Sequence, residues 1–153
     1  MDKIYLGIGS NMGDKEANCR KVIELIDRED GIKVVECSSL YLTDPVGGPP
    51  QDRYLNGVVS IETFLEPGAL LSVVKGIENE MGRVKAPGPD MPRVIDIDIL
   101  MYGDLVIRTP ALTVPHPRMH ERYFVLKGLA EIAPDAVHPV LGVSVKELLE
   151  KVV

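Results

Sequence analysis

A chain of 153 residues with 45% hydrophobic and 26% charged side chains has ordinary globular composition, which excludes a disordered tail and predicts one domain over 1–153. No apolar run approaches the roughly 18 residues that span a bilayer, and the N-terminal MDKIYLGIGS lacks the basic-then-apolar pattern of a signal peptide, so a soluble cytoplasmic protein is expected. The net charge of −6 excludes a general nucleic-acid binder, which carries a basic face.

Residues 3–10 alternate, Ile4, Leu6 and Ile8 against Tyr5, Gly7 and Gly9, and predict a strand with one buried face. From Asp14 the period lengthens: Cys19, Val22, Ile23 and Ile26 mark one helix face, with Asp14 as N-cap and Gly31 as stop. Cys19 and Cys37 sit in apolar periodic stretches without CxxC spacing and suit buried free thiols better than a disulfide. Strands are expected over 32–42 and 54–64, separated by the Pro/Gly-rich loop DPVGGPPQDR. A second helix should open near Pro67, bury Leu70, Val73, Val74, Ile77 and Met81, and stop at Gly82.

Three prolines and a glycine make 83–92 another loop, followed by a strand over 93–101. A turn at Gly103-Asp104 leads to a short return at Val106-Ile107. Helical patterns cover about 119–131 and a segment that opens on the capping box Ser144 to Glu147. Strand, helix, strand, strand, helix, strand is the order of an α+β, ferredoxin-like βαββαβ core with a mostly antiparallel sheet and extra C-terminal helices. That architecture serves many functions, so the chemistry must come from a site.

The strongest chemical signal is Arg93-Val-Ile-Asp96-Ile-Asp98-Ile-Leu. Alternation sends Ile95, Ile97 and Ile99 to one side and Asp96 and Asp98 to the other, about 6.6 Å apart along the strand. Like charges on one strand face repel. Either that face is solvated or a divalent cation resolves the repulsion, and the flanking isoleucines favour the cation. Residues 83–122 also hold five of the eight arginines but one of the nine lysines, and carry +1 while the rest carries −7. Arginine is the better planar phosphate ligand. His116, between two prolines, suits a phosphate contact or is an idle loop histidine; His120 and His138 show no partner pattern. No GxxxxGK[ST] loop, zinc-type Cys/His cluster or Ser-His-Asp arrangement is legible.

Taken together, GIGSN at 7–11, Tyr54-Leu-Asn56, Glu78, Gly82-Arg83, Pro92-Arg93-Val-Ile-Asp96-Ile-Asp98, Leu112-Thr-Val-Pro-His116, Arg122 and Phe124 resemble the hydroxymethyl-dihydropterin pyrophosphokinases of folate biosynthesis. The resemblance runs nearly end to end. It implies an ATP-dependent transfer of diphosphate to the hydroxymethyl group of 6-hydroxymethyl-7,8-dihydropterin, with release of AMP. It also implies two Mg2+ ions on Asp96 and Asp98, and catalysis supported by Arg83 and Arg93. Nucleotide contacts are implied for Glu78, Lys85, Arg93, Ile99, Thr113, His116 and Arg122, and pterin contacts for Thr43, Val46, Tyr54, Asn56, Asp96 and Phe124. The expected partners are those two small molecules, without nucleic acid or membrane, and the expected state is a monomer. A ligand-sensing ferredoxin-like module leaves the carboxylate pair unexplained; a metal-dependent ATPase or nucleotidyl transferase is the nearest enzymatic rival.

The loop at 83–92 departs from the family pattern. Many members place a second arginine, a basic residue, a tryptophan and a glycine where this chain has Lys85, Pro89, Asp90 and Met91, and Ala111 stands where many have arginine. The loop is expected to lie open without ligand and to close with fewer contacts than in typical members. Arg83→Ala and Arg93→Ala should each lower the chemical rate by about tenfold or more, the loss of one charge-stabilising donor. Asp90→Ala should leave that rate unchanged or raise it. Single-turnover quench-flow isolates the step, and loss of chemistry in Asp90→Ala but not in Arg83→Ala would refute this account.

Overall fold

The computed structural model describes residues 3–44, 53–82 and 94–152. Strand β1 (Lys3–Ser10) lies at the centre of the sheet, antiparallel to β4 (Tyr54–Thr63) on one side and β5 (Asp96–Tyr102) on the other. Strand β2 (Ile32–Cys37) pairs with the far side of β4, giving the order β2-β4-β1-β5, the arrangement of a ferredoxin-like α+β fold. The expected strand over 32–42 is broken in two, because β3 (Tyr41–Thr43) pairs separately with Tyr54–Asn56. At the break Ser38 accepts the Val58 N–H through its hydroxyl at 2.8 Å and donates its own N–H to the Val58 carbonyl at 2.8 Å. The side chain thus replaces a missing ladder partner, so the Val58 backbone donor is not orphaned at the break.

Helices α1 (Lys15–Arg28) and α2 (Pro67–Glu80) cover one sheet face. Asp14 caps α1 by accepting from the Ala17 N–H at 3.0 Å. The helix ends at Arg28, and Gly31 at φ +81 turns the chain into β2, so the stop falls earlier than the glycine suggested. Ile4, Leu6 and Ile8 meet Cys19, Val22 and Ile26 of α1 and Leu70, Val74 and Ile77 of α2 in this core. Cys19 is buried and Cys37 exposed; both are free thiols, so the expectation of burial holds for one only.

The opposite face is buried too, which corrects the expectation of a one-sided first strand. Tyr5, Val58, Leu100 and Met101 pack under α3 (Tyr123–Ile132) and α4 (Val145–Val152) with Met119, Val125, Leu129 and Val145. The pattern over 119–131 is not one helix: a 3-10 turn at Met119–Glu121 ends at Arg122, and α3 starts afresh. The Ser144–Glu147 box forms as read, with the Glu147 N–H donating to Ser144 Oγ at 3.2 Å. The return after Gly103 does not rejoin the main sheet: β6 (Ile107–Arg108) pairs instead with β7 (Thr113–Val114). No helix among the described residues is long and apolar enough to cross a membrane.

Two glycines test how tightly the layers are packed. A Cβ on Gly128 of α3 would stand 2.8 Å from Val58 Cγ2, whereas one on Gly76 of α2 would meet nothing within 4 Å. Gly76→Ala should therefore raise stability by about 0.5–1 kcal/mol through helix propensity. Gly128→Ala gains the same propensity but must displace β4, at a cost of about 1–3 kcal/mol, and should be net destabilising. Urea denaturation of both variants decides this, and equal shifts in the two would show that the α3–sheet contact is loose.

Candidate active site

Where α3 and the 3-10 turn leave the sheet uncovered, a cavity of about 380 Å3 opens, within the usual range for small-molecule sites. Its floor is the glycine row of β1. Register sets Gly7 opposite Asp98 and Gly9 opposite Asp96 on the β5 side, and Gly9 opposite Asn56 on the β4 side. No side chain stands between the carboxylates and the amide. A Cβ on Gly9 would come within 2.8 Å of Asn56 Oδ1, so glycine is needed there for close approach.

The β4 side of the cavity is polar and aromatic. Asn56 donates from Nδ2 to Thr43 Oγ1 at 2.6 Å, which orients the amide. Tyr54 lies opposite Thr43 in the β3–β4 ladder, and Tyr54, Thr43 and Asp44 all line the cavity. Phe124 and Tyr123, at the first turn of α3, line it from the helix side.

The β5 side is charged. Asp96 and Asp98 line the cavity with Arg118, Glu121 and Arg122. Burial first, then the negative charge of Asp96, push the Asp98 carboxyl up to about 7; the Arg122 guanidinium opposes the rise. His116 is tied beside β5 by its N–H, which donates to the Leu100 carbonyl at 2.8 Å. Its Nδ1 accepts the Arg118 N–H at 3.2 Å, so the neutral ring carries its proton on Nε2. Burial, then Arg122, bring its pKa down to about 4, against the pull of Asp96. It is a neutral donor in a cationic neighbourhood.

Of the residues singled out from the sequence, Thr43, Tyr54, Asn56, Asp96, Asp98, Arg122 and Phe124 meet at this cavity. Thr113 and His116 lie next to β5 but outside the cavity wall. The Ile99 side chain is in the α1–α2 core. Glu78 is buried on α2 and accepts the Ile97 N–H of the edge strand β5 at 2.8 Å, with Lys75 Nζ 3.9 Å from its other oxygen. Val46, Arg83, Lys85 and Arg93, and with them the expected open loop at 83–92, lie outside the described residues. Sequence reading assigned no role to Gly9, Arg118 or Tyr123. Arg118 had a signal, its place in the arginine-rich stretch two residues after His116; Gly9 lies in the GIGSN segment, but its role as floor depends on strand register. His138, read as structural or exposed, is buried, and its Nδ1 accepts from the Val140 and Leu141 N–H groups.

Fold and site together define a class: a ferredoxin-like domain with a ligand-sized cavity that joins an oriented amide and aromatic walls to an acid pair flanked by arginines. The family model described as 7,8-dihydro-6-hydroxymethylpterin-pyrophosphokinase (HPPK) matches residues 5–134. The chain belongs to that family. It is 45% identical over 151 residues to the 2-amino-4-hydroxy-6-hydroxymethyldihydropteridine pyrophosphokinase of Methylorubrum extorquens, covering 99% of this chain and 94% of the relative. It is 42% identical over 147 residues to the folic acid synthesis protein fol1 of Schizosaccharomyces pombe, covering 96% of this chain but only 20% of that protein. The chain spans a fifth of the length of the Pneumocystis carinii relative of the same name as well. Among solved structures it resembles the Plasmodium falciparum HPPK-DHPS with pteroate, at a TM-score of 0.77 and 17% identity, over 98% of this chain and 42% of that one. That likeness confirms the fold.

The two titrating groups bias stability in opposite directions. Asp98, raised from 3.8 to about 7, binds its proton more tightly when folded, so its contribution falls as pH rises through that interval. His116, lowered from 6.5 to about 4, holds its proton less tightly when folded, so its contribution rises from about pH 4 to 6.5. In metal-free buffer, Asp98→Asn should leave a profile that climbs more steeply with pH across the shared window, and His116→Asn one that falls. Urea midpoints across the window measure both, and parallel profiles in the two variants would contradict the assignment.

Proposed function

We propose that this domain transfers the β,γ-diphosphate of ATP to the hydroxymethyl oxygen of 6-hydroxymethyl-7,8-dihydropterin and releases AMP, with Mg2+ as the cation. The observation that carries the reading is the junction, in one cavity, of an amide site for a flat polar ring with an acid pair and arginines for a polyphosphate. Membership of the HPPK family supports it. A single domain acting as a monomer in the cytoplasm is the companion proposal.

The donor set fits Mg2+. Among the described residues no group of three or more His, Cys, Asp or Glu side chains could hold a metal alone. A site of two carboxylates leaves the remaining positions to phosphate oxygens and water, the usual habit of this ion. Asp96 and Asp98 would hold it, and a bound cation would offset the burial and the mutual repulsion that raise the Asp98 carboxyl. When bound, the ion supplies charge neutralisation and alignment of the triphosphate.

The residues of the chain do the rest. Asn56, its amide turned by Thr43, presents Oδ1 to a donor on the pterin edge, and Tyr54 and Phe124 offer faces for the ring. Arg122 and Arg118 contribute fixed positive charge where the diphosphate must pass, and His116 a neutral N–H donor beside them. The hydroxymethyl oxygen attacks the β-phosphorus and gives its proton up to solvent, the bond from that phosphorus to the α,β-bridging oxygen breaks, and AMP leaves with the electron pair. No covalent nucleophile is required, because such transfers depend on positioning and charge stabilisation.

Product analysis with ATP, Mg2+ and 6-hydroxymethyl-7,8-dihydropterin should give AMP and a diphosphorylated pterin; ADP, or no pterin-dependent turnover, rejects the reading. Asp96→Ala and Asp98→Ala should each cut turnover by orders of magnitude and leave the fold intact. Near-normal turnover in both variants would remove the acid pair from the mechanism. Asn56→Ala should weaken pterin binding roughly 5- to 150-fold, the loss of about 1–3 kcal/mol at an unpaired ligand edge. Affinity for a nonhydrolysable ATP analogue should barely change, and calorimetric titration of both ligands separates this from a general loosening.

A further inference from the structure

One carboxylate outside the cavity holds two of its walls together. On α3, Tyr123, Lys127 and Glu131 are spaced four residues apart and share a helix face. At the far end of that face, Glu131 Oε1 accepts from the Ser39 N–H at 2.9 Å and from the Ser39 hydroxyl at 2.8 Å, while Oε2 accepts from the Tyr41 hydroxyl. Lys127 Nζ stands 4.7 Å from the centre of the Tyr41 ring and 5.7 Å from that of Tyr123. Three donors thus converge on a single carboxylate, which they hold below the usual carboxylate range.

The strand held in this way is β3, which has three residues and, among the described residues, pairs with β4 alone. Two residues beyond Tyr41 it carries Thr43, the group that orients Asn56. The helix that holds it carries Tyr123 and Phe124 on the opposite wall. A short edge segment has little stability of its own and takes its position from side-chain contacts. We propose that Glu131 is a positioning residue for the pterin half of the site: by clamping Ser39 and Tyr41 to α3, it sets the distance between the Thr43–Asn56 pair and the aromatic wall. The proposal rests on the pyrophosphokinase reading and extends it to a residue that touches no substrate.

The test compares Glu131→Ala, Tyr41→Phe and the double variant with the wild type, reading KM for pterin, KM for ATP, kcat and thermal midpoint. Glu131→Ala should raise the pterin KM about tenfold, on the scale of one displaced ligand hydrogen bond. The ATP KM and the kcat at saturating pterin should stay within about twofold of the wild type, because the acid pair lies on β5 and the arginines stand at the far end of α3 from Glu131. Tyr41→Phe should give a smaller rise of the same kind, and the double variant no more than Glu131→Ala alone. An unchanged pterin KM in Glu131→Ala, an equal rise in the ATP KM, or additive effects in the double variant overturns the clamp. Should Glu131→Ala fold poorly, Tyr41→Phe and Ser39→Ala, which each remove one donor, carry the same comparison. Absence of pterin-dependent AMP formation by the wild type sinks the activity reading and this proposal with it; an active wild type whose pterin KM ignores every substitution sinks the clamp alone.

Discussion

The site depends on the antiparallel register of β1 between β4 and β5. Gly9 faces Asn56 on one side and Asp96 on the other, and Gly7 faces Asp98. Because both are glycines, no β1 side chain stands over these two positions, and groups from the two flanking strands can act on one molecule. A slip of one residue in β1 would turn Ile4, Leu6 and Ile8 out of the α1–α2 core, and one in β5 would turn the carboxylates into it. Register is thus held by the hydrophobic face, and the polar face inherits its geometry from that.

The same arrangement explains the electrostatics. The Asp98 carboxylate, over a glycine floor, loses solvation on burial and faces the negative charge of Asp96. Asp98 responds by holding its proton. The arginine that tempers this charge, Arg122, comes from a segment further along the chain, where the 3-10 turn ends and α3 begins. Breaking the helical pattern at Arg122 is what lets that guanidinium and the aromatic first turn of α3 face the sheet. A continuous helix over 119–131 would have carried the side chains around its axis.

The fold was largely legible in the sequence because its elements are locally consistent. The Asp14 cap, the Pro67 start and the Ser144–Glu147 box sit where their chemistry requires, and the strand alternation of β1, β4 and β5 is clean. The misreadings share a cause. The break at Ser38 is decided by Val58, distant in sequence, while the stop at Arg122 and the short β6–β7 hairpin are local, and none leaves a periodic trace. The burial of both faces of β1 could not be seen in an alternation of Tyr and Gly, because glycine reports nothing about what covers it.

The sequence by itself determined the chemistry of the site: two carboxylates on one strand face, a cluster of arginines, an amide and aromatic residues, in an order matched by a family. Those features are local or compositional, and a linear pattern carries them. The tertiary structure decided which of them share a cavity. It placed Thr43, Asn56, Asp98, Arg122 and Phe124 around one space, turned Glu78 to cap the edge of β5 and put Ile99 in the core. The physical reason is that convergence depends on strand register and on helix docking, both set by burial of apolar surface between elements far apart in the chain. Glu131 shows this most directly, since its link to Ser39 and Tyr41 spans some ninety residues and has no counterpart in local sequence.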